Sequence, residues 1–74
     1  MRRVILDQKA LDTLLGRKPL TFVTQQMSDN GYHITYKNFY NLYHNKSNWT
    51  LTNAWGLAEV FGVPIEQLFH VKSL

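Results

Sequence analysis

The chain has no cysteine, only two prolines and only five acidic residues among its 74. Without cysteine, neither a disulfide nor a thiolate metal site can staple the fold. That matters here, because a chain this short buries only about 60% of the surface its unfolded form exposes. No apolar run is long enough to span a membrane. The opening Met1-Arg2-Arg3-Val4-Ile5-Leu6 puts three apolar residues before Asp7, too few for a signal-peptide core, so a cytoplasmic location is expected. No Ser/His/Asp spacing, Gly-rich phosphate loop or paired-carboxylate motif is present, so neither an enzyme nor a bound cofactor is expected. His33, His44 and His70 are far apart in sequence and lack cysteine helpers or helical i, i+4 pairing. A metal site is therefore not expected.

The scarcity of acid is uneven. From Asn30 to Ala58 there is no Asp or Glu, while Lys37, Lys46, His33 and His44 all fall there. Such a segment can lie against phosphates without repulsion. The formal charge of +3, from eight Lys and Arg against five acids, suits an acidic partner without demanding one. The 45% hydrophobic content is that of a globular domain.

What is present reads as short helices, with residues 1–74 forming a single domain. Gly16, Pro19, Gly31, Gly62 and Pro64 punctuate the chain into pieces of helical length. Asp7 to Leu15 opens on an N-cap carboxylate, with Leu6 and Leu11 at the spacing of a hydrophobic staple. Leu11, Leu14 and Leu15 make its apolar stripe, and Gly16 ends it. Thr21 to Asp29 carries Phe22, Val23 and Met27 and stops at Asn30-Gly31. Thr35 to His44 is capped by Thr35, with Ile34 and Phe39 as a second staple and Leu42 turned inward. Its polar and apolar residues do not alternate with period two, which argues against a strand. Thr50 to Phe61 places Leu51, Ala54, Leu57, Ala58 and Phe61 on one face. A short fifth helix starts at Pro64, from which Ile65, Leu68 and Phe69 pack back. The expected fold is all-α, a compact bundle of four to five short helices. Whether Val4-Ile5-Leu6 packs under that bundle or against a partner stays open.

The stretch TLTNAWGLAEVFGVPIEQLF, from Thr50 to Phe69, resembles the last two helices of the Cro/CI-type, phage-repressor-like helix-turn-helix family. The family's Leu, Leu-Ala, apolar, Gly-Val and closing Leu fall on Leu51, Leu57-Ala58, Phe61, Gly62-Val63 and Leu68. The resemblance covers about Pro19 to Phe69 and implies that residues 21–29 are the supporting helix and 35–44 the recognition helix. The chain departs from the family where Leu20 stands for a DNA-contacting Gln. It departs again where Asp29-Asn30-Gly31-Tyr32-His33 lengthens the turn, and where Tyr43, His44, Asn45 and Trp49 replace the usual Glu, Asn, Gly and Pro.

The resemblance implies a transcriptional regulator of a phage, acting in a bacterial host cell on double-stranded operator DNA, with a homodimer possible. In that geometry the N-terminal half of the recognition helix enters the major groove and presents Thr35, Tyr36, Lys37, Asn38 and Asn41. Asn can bond adenine bidentately, and Lys can donate to guanine or phosphate. Arg17, Lys18 and Lys46 would meet phosphates and set register. The resemblance also admits a second function, an antirepressor that pairs with a phage repressor protein. The aromatics speak for it. Tyr32, Tyr36, Tyr40, Tyr43, Trp49 and Trp55 are too many for so small a core, and exposed aromatics mark protein interfaces. The first five are the candidate interface residues. Leu57 tests the register of the fourth helix. Leu57→Ala is expected to destabilise the domain by roughly 2–5 kcal/mol. A denaturant midpoint that does not move would put Leu57 outside the core.

Overall fold

The computed structural model describes residues 2–73. The chain forms four α-helices, three of them started by side-chain caps: α1 (Gln8–Leu15), α2 (Leu20–Asp29), α3 (Tyr36–Tyr43) and α4 (Leu51–Phe61). The side chains of Asp7, Thr35 and Thr50 accept from the backbone amides of Ala10, Asn38 and Asn53 at 3.2, 3.2 and 3.1 Å. Each bond satisfies one of the amides that a helix start leaves without a partner. α2 has no such cap. It follows Pro19, whose fixed φ of −74° leads the chain into the first turn.

The all-α expectation is overturned. The described residues include two strands, β1 (Arg2–Leu6) and β2 (Phe69–Ser73), paired antiparallel from Arg2↔Ser73 to Leu6↔Phe69. Helices make up 56% and strands 14%, so the domain is a small α+β fold. The expected fifth helix is a single 3-10 turn, Ile65–Gln67. The chain then straightens, and the amide of Asp7 donates to the carbonyl of Leu68 at 2.7 Å, extending the ladder by one bond. The role left open for Val4-Ile5-Leu6 is therefore a strand beneath the helices.

The core sits between α2, α3 and α4, closed by α1 on one side and the strand pair on another. Leu11, Val23, Met27, Phe39, Leu57 and Leu68 are fully buried. Both sequence staples meet there: Leu6 with Leu11 is buried, and Ile34 is half-buried beside a buried Phe39. Leu14 is 42% exposed and Leu51 70% exposed, so neither joins the stripe expected of it. At 3.6 residues per turn, Leu51 lies about 70° off the mean direction of Ala54, Leu57, Ala58 and Phe61. It also occupies the first turn of α4, beyond the reach of the core.

Sheet and helices join at the end of α3. Asn45 stands at φ 57°, the left-handed region that asparagine tolerates better than most residues. The amides of Asn45 and Lys46 fold back to the carbonyls of Leu42 and Asn41, closing a Schellman turn. The freed side chain of Asn45 then grips β1. Its Oδ1 accepts from the Leu6 amide at 3.0 Å, and its Nδ2 donates to the Leu6 carbonyl at 3.2 Å. Replacement by alanine loses both hydrogen bonds and meets left-handed strain, an expected loss of about 3 kcal/mol. Asn45→Gly keeps the backbone at ease and loses only the bonds, so it is expected to cost about 1 kcal/mol less. Denaturant unfolding of both variants checks this. A glycine variant as stable as the parent would deprive the Asn45–Leu6 bonds of any weight.

Candidate nucleic-acid interface

α3 buries Phe39 and Leu42 and turns its other faces outward. Tyr36, Lys37, Asn38 and Tyr40 are exposed, and Asn41 is half-buried. Tyr36, Tyr40 and His44 follow one another at i, i+4 along the helix. Their ring centroids lie 6.2 and 4.5 Å apart, a continuous aromatic strip. Lys37 and Asn41 share a second strip at the same spacing. Asn38 faces another way, into a cleft of about 460 Å³. The end of α2 (Ser28), the α2–α3 loop (His33, Thr35), the turn after α3 (Ser47) and the first turn of α4 (Asn53) form its walls. None of the cleft's lining residues is acidic.

The carboxylates that could oppose an anion are elsewhere: Glu66 lines a groove beside α4, and the other four are in use. Asp7 caps α1, and Asp29 accepts from Gln25. Asp12 and Glu59 each accept from a tyrosine hydroxyl. Lys46 is exposed in the turn directly after α3, and Arg17 and Lys18 are exposed in the turn between α1 and α2. The ammonium of Lys18 stands 4.3 Å from the Phe22 ring centroid, a cation–π contact that holds it at the start of α2. The eight DNA-contact candidates thus fall in two places. Thr35, Tyr36, Lys37, Asn38, Asn41 and Lys46 belong to α3 and its ends, and Arg17 and Lys18 to the start of α2.

The aromatic candidates divide differently. Tyr36 and Tyr40 are 47% and 41% exposed. Trp49 is a correction: it is 6% exposed and belongs to the core. Its ring meets Phe69 edge-on at 4.8 Å and Phe39 at 6.2 Å, and its Nε1 donates to the Leu42 carbonyl at 2.9 Å. The indole therefore fills the gap between helix and sheet while satisfying a carbonyl at the end of α3. Tyr32 and Tyr43 are half-buried and tied down. The Tyr32 ring lies over Gly56 of α4, where a Cβ would come within 2.8 Å of it, and its hydroxyl donates to Glu59 at 2.7 Å. Tyr43 donates to Asp12 of α1 at 2.7 Å. Both tyrosines hold helices together.

Sequence reasoning put His33 in the acid-free segment without placing it in a cleft, and it missed Asn53, which carries no motif. It counted Trp55 among the surplus aromatics without making it an interface residue, and it put Leu51 on the buried face of α4, whereas both are exposed. Among the described residues, no group of three His, Cys, Asp or Glu side chains comes together to hold a metal ion, and no helix is long and apolar enough to cross a membrane. Set against family models, curated proteins and solved structures, the chain matches none.

The bond to Asp12, reinforced by partial burial and the carboxylate's charge, pushes the Tyr43 phenol from 10.0 up to about 12. Above pH 10 the unfolded chain gives up this proton while the folded chain keeps it. Tyr43's contribution to stability is therefore whole below pH 10 and declines as the pH rises to about 12. Tyr43→Phe is expected to remove that part of the alkaline decline. Denaturant midpoints taken at steps across this range check it, and identical profiles for parent and variant would contradict it.

Proposed function

We propose that the protein is a small regulator of a phage type that binds double-stranded DNA by laying the outer face of α3 in the major groove, with α2 as its support. The observation that carries this reading is the surface of α3 and its ends. It offers Thr35, Lys37, Asn38, Asn41 and Lys46 to solvent within a segment free of Asp and Glu from Asn30 to Ala58. Lys37 and Lys46 supply the charge that phosphates require, and Asn38 and Asn41 the paired donor and acceptor that a base edge requires. Arg17 and Lys18, ahead of α2, meet the backbone of the same duplex. Residues 30–35 form a longer connection than the usual turn of three or four residues. Tyr32, fixed on Gly56 and Glu59, makes that connection a firm one.

A second reading has its own support. Leu51 and Trp55 are 70% and 58% exposed on one face of α4, beside a groove of about 400 Å³ that reaches Val63 and Ile65 and is rimmed by Glu59 and Glu66. An apolar face with an acidic rim suits a partner with a basic patch, such as the DNA-binding face of a repressor. In this reading the chain is an antirepressor. Trp55→Ala then abolishes a complex with a phage repressor, and Lys37→Ala leaves that complex intact.

Titration of a labelled random-sequence duplex at several salt concentrations tests the first reading. Binding at low salt that weakens as salt rises is expected. Lys37→Ala is expected to weaken binding to all sequences alike and to lower the log–log salt slope by about 1. No binding at the lowest salt would end the DNA reading.

A further inference from the structure

The four tyrosines of the chain divide by what they hold. Tyr32 and Tyr43 are half-buried, and each donates its hydroxyl to a helix carboxylate at 2.7 Å. Tyr36 and Tyr40 are exposed, and among the described residues neither hydroxyl has a hydrogen-bond partner. No structural bond accounts for them. Duplex binding leaves them over as well, because its groove contacts come from the polar Lys37, Asn38 and Asn41. Inside a duplex the neighbouring bases, about 3.4 Å apart along each strand, cover one another's faces. An aromatic ring on α3 then has no base face to stack on.

The spacing of the strip fits a strand without a complement. The rings of Tyr36 and Tyr40 lie 6.2 Å apart with their planes inclined by 43°, so neither is stacked flat on the other. Four residues of helix rise about 6 Å. That is nearly twice the base separation along a duplex strand. Only a strand whose bases have come apart can set neighbouring bases on both rings. His44, also exposed, continues the row at 4.5 Å from Tyr40. Charge accompanies the rings. At about 100° per residue, Lys37 stands about 60° around α3 from Tyr40. Lys46 is exposed just past the helix, and the whole strip lies in the stretch without Asp or Glu. Asp12, which α1 brings beside Tyr43, is engaged by that hydroxyl.

We infer that Tyr36, Tyr40 and His44 form a stacking platform for a single strand of DNA, with Lys37 and Lys46 on its phosphates. Every base has an aromatic face, so the platform accepts strands of any sequence. The rings engage bases and the lysines engage phosphates, so no 2′-hydroxyl is required. The platform shares α3 with the duplex-binding strip, and single strand and duplex therefore compete. This is a second binding activity, and it does not rest on the duplex reading.

Fluorescence anisotropy of a labelled oligodeoxythymidylate of about ten nucleotides, titrated with the full chain at several salt concentrations, tests it. A thymidine homopolymer forms no duplex, so the signal reports unpaired bases alone. Binding that weakens as salt rises is expected. Tyr40→Leu removes one ring and is expected to lower this affinity at least about fivefold, with the far-ultraviolet spectrum and the duplex affinity unchanged. Tyr40→Phe keeps the ring and is expected to bind as the parent chain does. In the parent chain, the ring protons of Tyr36 and Tyr40 are expected to shift upfield as the oligonucleotide is added, while those of Tyr32 and Tyr43 stay in place. No binding at the lowest salt overturns the inference. So does full affinity in Tyr40→Leu, or an equal loss in Tyr40→Phe. An oligouridylate of the same length bound about tenfold more tightly assigns the strip to RNA and overturns it too. Should Tyr40→Leu unfold, the ring-proton shifts of the parent chain decide alone. A chain that binds duplexes but not the oligonucleotide has no such platform and leaves the proposed function standing. The converse result ends the proposed function and keeps the platform.

Discussion

The carbonyl end of α3 is the point on which the rest of the structure depends. A helix leaves its last carbonyls without intrahelical partners, and here the amides of the following turn and side chains from elsewhere in the chain satisfy them. Trp49 donates to Leu42, Gln8 to Tyr43 and Arg3 to Asn45. The guanidinium also sets a positive charge where the helix dipole is negative. Asn45 completes the junction by adopting a left-handed turn and holding the backbone of Leu6. Through these contacts the α3–α4 turn, the start of α1 and the first strand become one unit. A domain of this size has little surplus burial, so ties of this kind replace the covalent staple it lacks.

This junction also decides what α3 can offer. Its C-terminal end and its Phe39/Leu42 side are committed to the interior, which fixes the helix in tilt and rotation. The remaining faces carry an aromatic strip, a Lys37–Asn41 strip and the Asn38 side of a cleft free of acid. Fixing the scaffold from one end leaves those side chains placed before any partner arrives. Less ordering is then lost on association.

Local chemistry made the helices legible. Asp7, Thr35 and Thr50 are caps whose partners lie three residues away, and the Leu6/Leu11 and Ile34/Phe39 staples span five. The sheet was not legible, because its strands are five residues each and lie at opposite ends of the chain. Val4-Ile5-Leu6 shows no alternation, since both faces of β1 are partly covered. β2 looks like a polar tail, because four of its five residues are exposed. Trp49 sits in a loop, where no periodicity points inward, so composition alone put it on the surface. The exposure of Tyr36 and Tyr40 could be anticipated from the helical pattern around Phe39 and Leu42. The fixing of Tyr32 and Tyr43 could not, because Glu59 and Asp12 are 27 and 31 residues away.

The placement of the two tryptophans has one more consequence. Trp49 is enclosed at 6% exposure among Phe39 and Phe69, while Trp55 stands 58% exposed on α4. An enclosed indole emits toward the blue and is shielded from dissolved quenchers; a solvated one emits toward the red and is quenched readily. The chain therefore contains two intrinsic optical reporters with separable signals. One follows the closing of the interior, and the other follows whatever settles on the outside of α4.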